Sequence, residues 1–149
     1  MIKEVKITIV REVDGTKYQT INPQQAFDFW KNEVEKSSWY SEDKEHVVVL
    51  ILDQKNMIKA FNLVSIGTIN SSICEPREVF RPAIVAAGTA VIMMHNHPTG
   101  DTTPSGEDLN VTRKMIEAGN LLEVKLLDSI IVGHSFLSLR EEGLVDFEI

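Results

Sequence analysis

Two histidines one residue apart, His95 and His97, open the stretch HNHPTGDTTPSGED, which ends at Asp108. In extended backbone, side chains at i and i+2 point the same way, so both imidazoles can reach one point while Asn96 is turned away. Pro98 biases His97 towards the extended region and helps hold that geometry. Neutral imidazole is the commonest metal-binding side chain. A third ligand would be a carboxylate, from Asp101 or Asp108, and each also has a plain structural role. Asp101 in TGDTTP suits turn formation. Ser105-x-x-Asp108 before an apolar run has the form of a capping box, with Ser105 as N-cap and an acid in the first turn that suits the helix dipole. Capping and ligation are compatible, because a first-turn side chain can face the loop that carries the histidines.

Two imidazoles, one carboxylate and no cysteine fit zinc best. Three protein ligands leave a fourth position for water, the layout of catalytic rather than structural zinc. Water bound in that way ionises near a pH of about 7. Hydrolysis also needs a carboxylate to take the proton and later pass it to the leaving group. No HExxH places such a base between the ligands. The candidates are Glu42, Asp43, Glu45, Glu75 and Glu78. Glu45 stands at the mouth of the apolar run His46–Asp53, where a rigid element would hold it. Solvent-exposed surface is the plain reading of any one of them.

The elements that must carry these groups can be read from periodicity. VKITIVREV (Val5–Val13) alternates apolar and polar residues as a half-buried strand does, Asp14-Gly15 suits a hairpin turn, and KYQTI reads as the returning strand. Asn22-Pro23 has the form of a cap followed by proline at the first helical position, and Ala26, Phe27, Trp30 and Val34 recur at helical spacing to about Lys36. HVVVLILD (His46–Asp53) reads as a central strand buried on both faces. MIKAFNLVSIGTI supplies the next strand, bent near Gly67. Pro76 opens a helix carrying Val79, Phe80, Ile84 and Val85, with Pro82 disturbing its middle and Gly88 ending it. AVIMMH is a second buried strand that delivers His95 to a loop at its C-terminal end. The helix after that loop shows Leu109, Thr112, Met115 and Ile116 on one face, and VKLLDSIIVG and FLSLRE close the chain as strands. Helices between central strands imply an α/β fold, a mixed central β-sheet with helices packed on its faces.

The 149 residues contain no internal repeat, low-complexity tract or long linker, so one domain spanning 1–149 is expected. Hydrophobic content of 43% and charged content of 25% are ordinary for a globular protein. The single cysteine, Cys74, excludes an internal disulfide and fits a cytoplasmic protein. The N-terminus lacks the roughly 7–15-residue apolar core of a signal peptide, and no run reaches the ~18 apolar residues of a membrane span. A net charge of −7 disfavours broad nucleic-acid binding, which needs a basic face.

HNHPTGDTTPSGED also resembles the JAMM signature of the JAB/MPN metalloprotease superfamily: His-x-His-Pro, six residues, then Ser-x-x-Asp. EHVVVLILDQKN, VSIGTINSSICEPREVFRPAI, the segment running from the signature through LLEVKLLDSIIVG, and SLREEGL are similar to the C-terminal JAB domain of bacterial RadC-like proteins. That likeness covers about Glu45 to Leu144. It implies a three-layer α/β/α, cytidine-deaminase-like JAB/MPN fold. It also implies that His95, His97 and Asp108 are zinc ligands, that Glu45 is the general base, and that Ser105 stabilises an oxyanion, a job in which one lost donor typically costs about 10²–10³ in rate. Superfamily members cleave peptide or isopeptide bonds, often at the tail of ubiquitin-like proteins. Two departures stand out. Residues 1–40 are expected to form a short strand-rich segment and one helix, unlike the helical N-terminal region of full-length RadC-like proteins, and VGHSFLSL differs from the usual glycine-containing hairpin near the site rim.

The expected function is therefore a zinc-dependent metallopeptidase or isopeptidase acting on a protein or peptide substrate. The alternatives are a non-catalytic JAB/MPN interaction module and a RadC-like accessory protein in DNA repair. An exposed N-terminal strand could pair with a second copy. The remaining conspicuous residues read as structure. Cys74 and the methionines suit the core, His46 a strand start, His134 an exposed hairpin, Trp30 and Trp39 core or half-buried sites, and Arg77 and Arg81 a solvated face.

Overall fold

The computed structural model describes residues 11–148. Six strands form one sheet in the order β1-β3-β2-β4-β5-β6, where β1 is Arg11–Glu12, β2 His46–Leu52, β3 Ile58–Ile66, β4 Ala90–Asn96, β5 Lys125–Val132 and β6 Phe136–Ser138. Only β4 and β5 run parallel; every other neighbouring pair is antiparallel. A parallel pair needs a crossover, and the helix α3 (Gly106–Leu122) supplies it. The fold is thus a mixed α/β sheet, as its alternation of apolar runs and amphipathic helices implies.

Every residue of β2 and of β4 is buried, because both faces of the sheet are covered. Val47, Val49 and Ile51 of β2, with Val91 and Met93 of β4, pack beneath α3 and the helix α2 (Pro76–Val85). Val48, Leu50 and Leu52, with Ala90, Ile92 and Met94, pack against Ala26, Phe29 and Trp30 of α1 (Pro23–Asn32). Side chains alternate along a strand, so odd positions of β2 and β4 serve one core and even positions the other. Three layers result.

Local chemistry sets the helix ends. The Asn22 side chain accepts the Gln25 N–H at 3.0 Å and Pro23 sits in the first turn of α1. A single 3-10 turn, Val34–Lys36, completes the helical stretch expected to reach Lys36. Helix α2 runs through Pro82 without a break; Pro82 falls in its last turns, forfeits one N–H, and is buried.

Three expectations are corrected or bounded. KYQTI is not a returning strand: it makes one bridge, Gln19 with Met57, because it lies across the β2–β3 turn, where Ile58 donates to the Tyr18 carbonyl (2.8 Å) and Thr20 to that of Asn56 (2.9 Å). Most of Val5–Val13 falls outside the described residues, and its described part contributes β1. The last strand stops at Ser138 instead of running through FLSLRE, because the Asp128 carboxylate draws the chain into a turn by accepting from the Ser138 hydroxyl (2.5 Å) and the Arg140 N–H (3.2 Å). Among the described residues, no helix is long and apolar enough to cross a membrane.

Candidate metal centre

The parity that sends Val91 and Met93 beneath α3 also sends His95 there, at the C-terminal end of β4. His97 extends the ladder by donating its N–H to the Val132 carbonyl at 2.8 Å, so its ring follows His95 to the same face. Across the sheet, Val47 stands opposite His95. Continuing that antiparallel register by two residues sets Glu45 opposite His97. The N-terminus of α3 lies over this corner and contributes Asp108.

One ligand atom from each of Glu45, His95, His97 and Asp108 lies within 4.8 Å of all the others. Asp108 divides its carboxylate between the rings: Oδ1 is 3.2 Å from His95 Nε2 and Oδ2 is 3.3 Å from His97 Nε2. His95 and Asp108 are each 1% exposed and His97 is 17% exposed in its side chain, while Glu45 is half-buried. The capping box is complete as well. Ser105 Oγ accepts the Asp108 N–H at 3.0 Å, and Asp108 Oδ2 accepts the Ser105 N–H at 2.8 Å. Ligand-like placement and helix capping coexist in one side chain.

The donor chemistry fits a divalent cation. His95 Nδ1 is buried without a hydrogen-bond partner, and His95 Nε2 and Asp108 Oδ1 meet only in a close contact that forms no regular hydrogen bond, a costly state for polar atoms in a protein interior. His97 Nδ1 lies 2.8 Å from the Asp101 carbonyl, which can only accept, so Nδ1 carries the proton. That leaves the Nε2 lone pair of a neutral ring aimed at a carboxylate. Acceptors that face one another in this way could hold a cation between them, and two carboxylates with two imidazoles carry a formal charge of −2 to match it.

The Asp108 carboxylate beside His97 favours the protonated ring, raising the His97 pKa above its usual value against the opposing effect of burial. Burial pushes the Asp108 carboxyl up, but the His95 and His97 rings and the Ser105 N–H outweigh it and hold the group well below the usual carboxylate range.

Of the acids considered as base, only Glu45 comes within 4.8 Å of the ligand atoms of both histidines. Glu75 and Glu78 pair with Arg77 and Arg81 (2.7 and 2.8 Å), which also accounts for those two arginines. Glu42 and Asp43 are exposed, and Asp43 accepts from the Ser41 hydroxyl. The Asp101 carboxylate caps its own turn at Thr103. Its contribution to the site is the carbonyl that orients His97, a backbone role that no side-chain pattern announces. Cys74 is buried, its thiol pushed up to about 11 by burial, and His134 is exposed. His46 and Trp30 are fully buried.

A mixed sheet whose strand end carries His-x-His-Pro, covered by a helix whose capping box includes the third ligand-like group, defines a JAB-type domain. The chain belongs to the RadC-like JAB domain family, whose model matches residues 20–144. This match takes in α1 and begins upstream of the Glu45 boundary drawn from sequence motifs. The chain is 40% identical over 141 residues to a UPF0758 protein of Caldanaerobacter subterraneus, covering 94% of this chain and 58% of that protein. It is 50% identical over 103 residues to a UPF0758 protein of Methanosarcina barkeri, covering 68% and 45% respectively. The chain therefore spans about half the length of the curated relatives it matches.

Proposed function

We propose that this protein is a zinc-dependent hydrolase of the JAMM type, acting on a peptide or isopeptide bond of a protein or peptide substrate. The observation that carries this reading is the convergence of Glu45, His95, His97 and Asp108 within 4.8 Å, with His95 and Asp108 buried and in close contact but satisfied by no regular hydrogen bond between them. His95, His97 and Asp108 would hold the metal, which when bound supplies a Lewis acid and water acidic enough to react near neutral pH.

The remaining work falls to the chain's own groups. The Glu45 carboxylate takes the proton from the attacking water and returns it to the leaving nitrogen. Ser105 Oγ already accepts the Asp108 N–H, so its own proton is free to be donated to the substrate oxygen as negative charge develops there.

The test is cleavage of a proteome-derived peptide library by zinc-loaded wild type and Glu45→Gln, read by mass spectrometry of new termini. Wild type should generate termini at a recurrent sequence, while Glu45→Gln should bind one zinc and generate none. Equal cleavage by the two would remove Glu45 from the mechanism.

A further inference from the structure

We propose that Asn96, the residue between the two histidines, is the positioning residue for Glu45; the inference rests on the function proposed above. Asn96 is only 4% exposed, and strand parity turns it away from the face that His95 and His97 share. Its side-chain amide closes on the backbone at both sides of Glu45. Oδ1 accepts the His46 N–H at 2.8 Å, and Nδ2 donates to the Lys44 carbonyl at 2.8 Å. On the other side, the N–H of Gly67, just past the end of β3, donates to the Glu45 carbonyl at 2.8 Å. Glu45 is thus fixed through its backbone from both neighbours in the sheet.

This matters because, among the described residues, the Glu45 carboxylate accepts no hydrogen bond of its own. A base must lie within hydrogen-bond reach of the proton it takes. The backbone at residues 44–46 has to supply that accuracy, and Asn96 holds it. Three consecutive residues of one strand end then divide the labour: the outer two face the cation site and the middle one sets the base.

A second layer supports the amide. His46 Nδ1 lies 3.2 Å from Asn96 Oδ1, and the Ser41 N–H points at His46 Nε2 at 3.4 Å. That pattern leaves the ring proton on Nδ1, directed at Asn96. The ring itself stacks on Tyr40 at 4.7 Å between centroids and lies 5.6 Å from Trp39. Only a side chain that both donates and accepts can bridge Lys44 and His46 in this way. Aspartate keeps the acceptor and loses the donor; alanine loses both.

The test uses the full chain loaded with zinc, as wild type, Asn96→Ala and Asn96→Asp. Crystal structures and the carboxyl ¹³C resonance of Glu45 locate the base, and competition with a chromophoric chelator gives the zinc affinity. We expect each variant to bind one zinc, with affinity changed by less than the roughly 10–100-fold lost when a partner of a metal ligand is removed. The Glu45 carboxylate should be displaced by about 1 Å or more, with its resonance shifted, and on any peptide that wild type cleaves kcat should fall by about 10²-fold with KM unchanged. If Asn96→Ala does not fold, Asn96→Asp carries the test. A Glu45 carboxylate and resonance unmoved in the variants would overturn the positioning role alone, whereas full turnover in Glu45→Gln would overturn the catalytic reading alone.

Discussion

Gly133 lies face to face with the carbonyl of Gly100: a Cβ on Gly133 would sit 2.3 Å from that oxygen. The same carbonyl accepts the His134 N–H at 3.0 Å. The tip of the β5–β6 hairpin is therefore docked on the loop that carries His97 and the Asp101 carbonyl, with Gly100 N–H returning to the His97 carbonyl at 2.9 Å.

Gly133→Ala should consequently disturb the cation site from outside it. Its new methyl meets backbone, which cannot step aside, so the hairpin must lift and the orientation of His97 loosen. We expect zinc affinity to fall by about tenfold or more, as when the partner of a metal ligand is lost. Gly100→Ala meets the exposed His134 ring instead, which can swing away, and it then bears chiefly the cost of a side chain at φ +86°, about 1 kcal/mol. Chelator competition and thermal unfolding of the two variants check this ranking. Wild-type zinc affinity in Gly133→Ala would show that the hairpin does not support the site.

Ser105 and Asp108 share a capping box but should separate on substitution. Ser105→Ala removes the acceptor of the Asp108 N–H and should cost about 1 kcal/mol of stability while leaving zinc bound, with turnover reduced by about 10²–10³ if the hydroxyl serves the oxyanion. Asp108→Ala removes the reciprocal cap and the shared carboxylate together, so zinc should be lost. Metal content by mass spectrometry, beside unfolding temperature, reads both roles. Loss of zinc in Ser105→Ala would merge them.

Asp128 supplies the pH dependence. Burial raises its carboxyl above the ordinary value near 3.8, although Ser138, Arg140 and Ser129 all donate to it. A carboxyl raised in the folded state binds its proton more readily folded than unfolded, so burial of the charge disfavours the fold at pH above the folded pKa. That cost is relieved as pH falls through the folded pKa towards 3.8. Asparagine does not titrate. The stability of wild type relative to Asp128→Asn should thus rise as the solution is acidified through that window, as measured by urea unfolding at a series of pH values. A difference independent of pH would contradict the shift. Asp128→Ala, which strands three donors, should cost about 2–4 kcal/mol at neutral pH.

What could be read beforehand was what is local in the chain. His-x-His parity, the proline that follows and the capping box each occupy a few consecutive residues, and the structure assembles them as their spacing implies. The apolar runs of β2 and β4 likewise announced strands covered on both faces. Glu45 is singled out from five acids only by its place before β2 and by the family resemblance; its position opposite His97 comes from antiparallel pairing with a strand about fifty residues away, and no periodicity encodes that register. Asn96 looked idle for the same reason: its partners, Lys44 and His46, are neighbours only through that pairing. KYQTI had the composition of a strand but found a single bridging partner, since tertiary contacts and not propensity decide so short a segment.

Gly88 shows how a correct boundary can rest on the wrong residue. A glycine after a helix suggests the left-handed C-cap position, yet the positive φ (+55°) falls on Ala87. Gly88 is needed for a different reason: a Cβ there would lie 2.4 Å from Ile51 Cγ2 and 3.4 Å from the Ala83 carbonyl. Its own N–H donates to that carbonyl at 2.8 Å, and Thr89 then joins the sheet by donating to the Leu52 carbonyl at 2.9 Å. Ala87→Gly should therefore stabilise the protein by about 0.5–1 kcal/mol, since it relieves a left-handed alanine. Gly88→Ala should destabilise it by about 1–3 kcal/mol, the usual cost of overpacking, because Ile51 is fully buried beneath α2 and has no room to yield. Urea unfolding of the two variants decides the matter. Opposite signs would confirm that the helix end is shaped by close packing on β2, whereas stabilisation by both substitutions would show that Gly88 makes no such contact in solution.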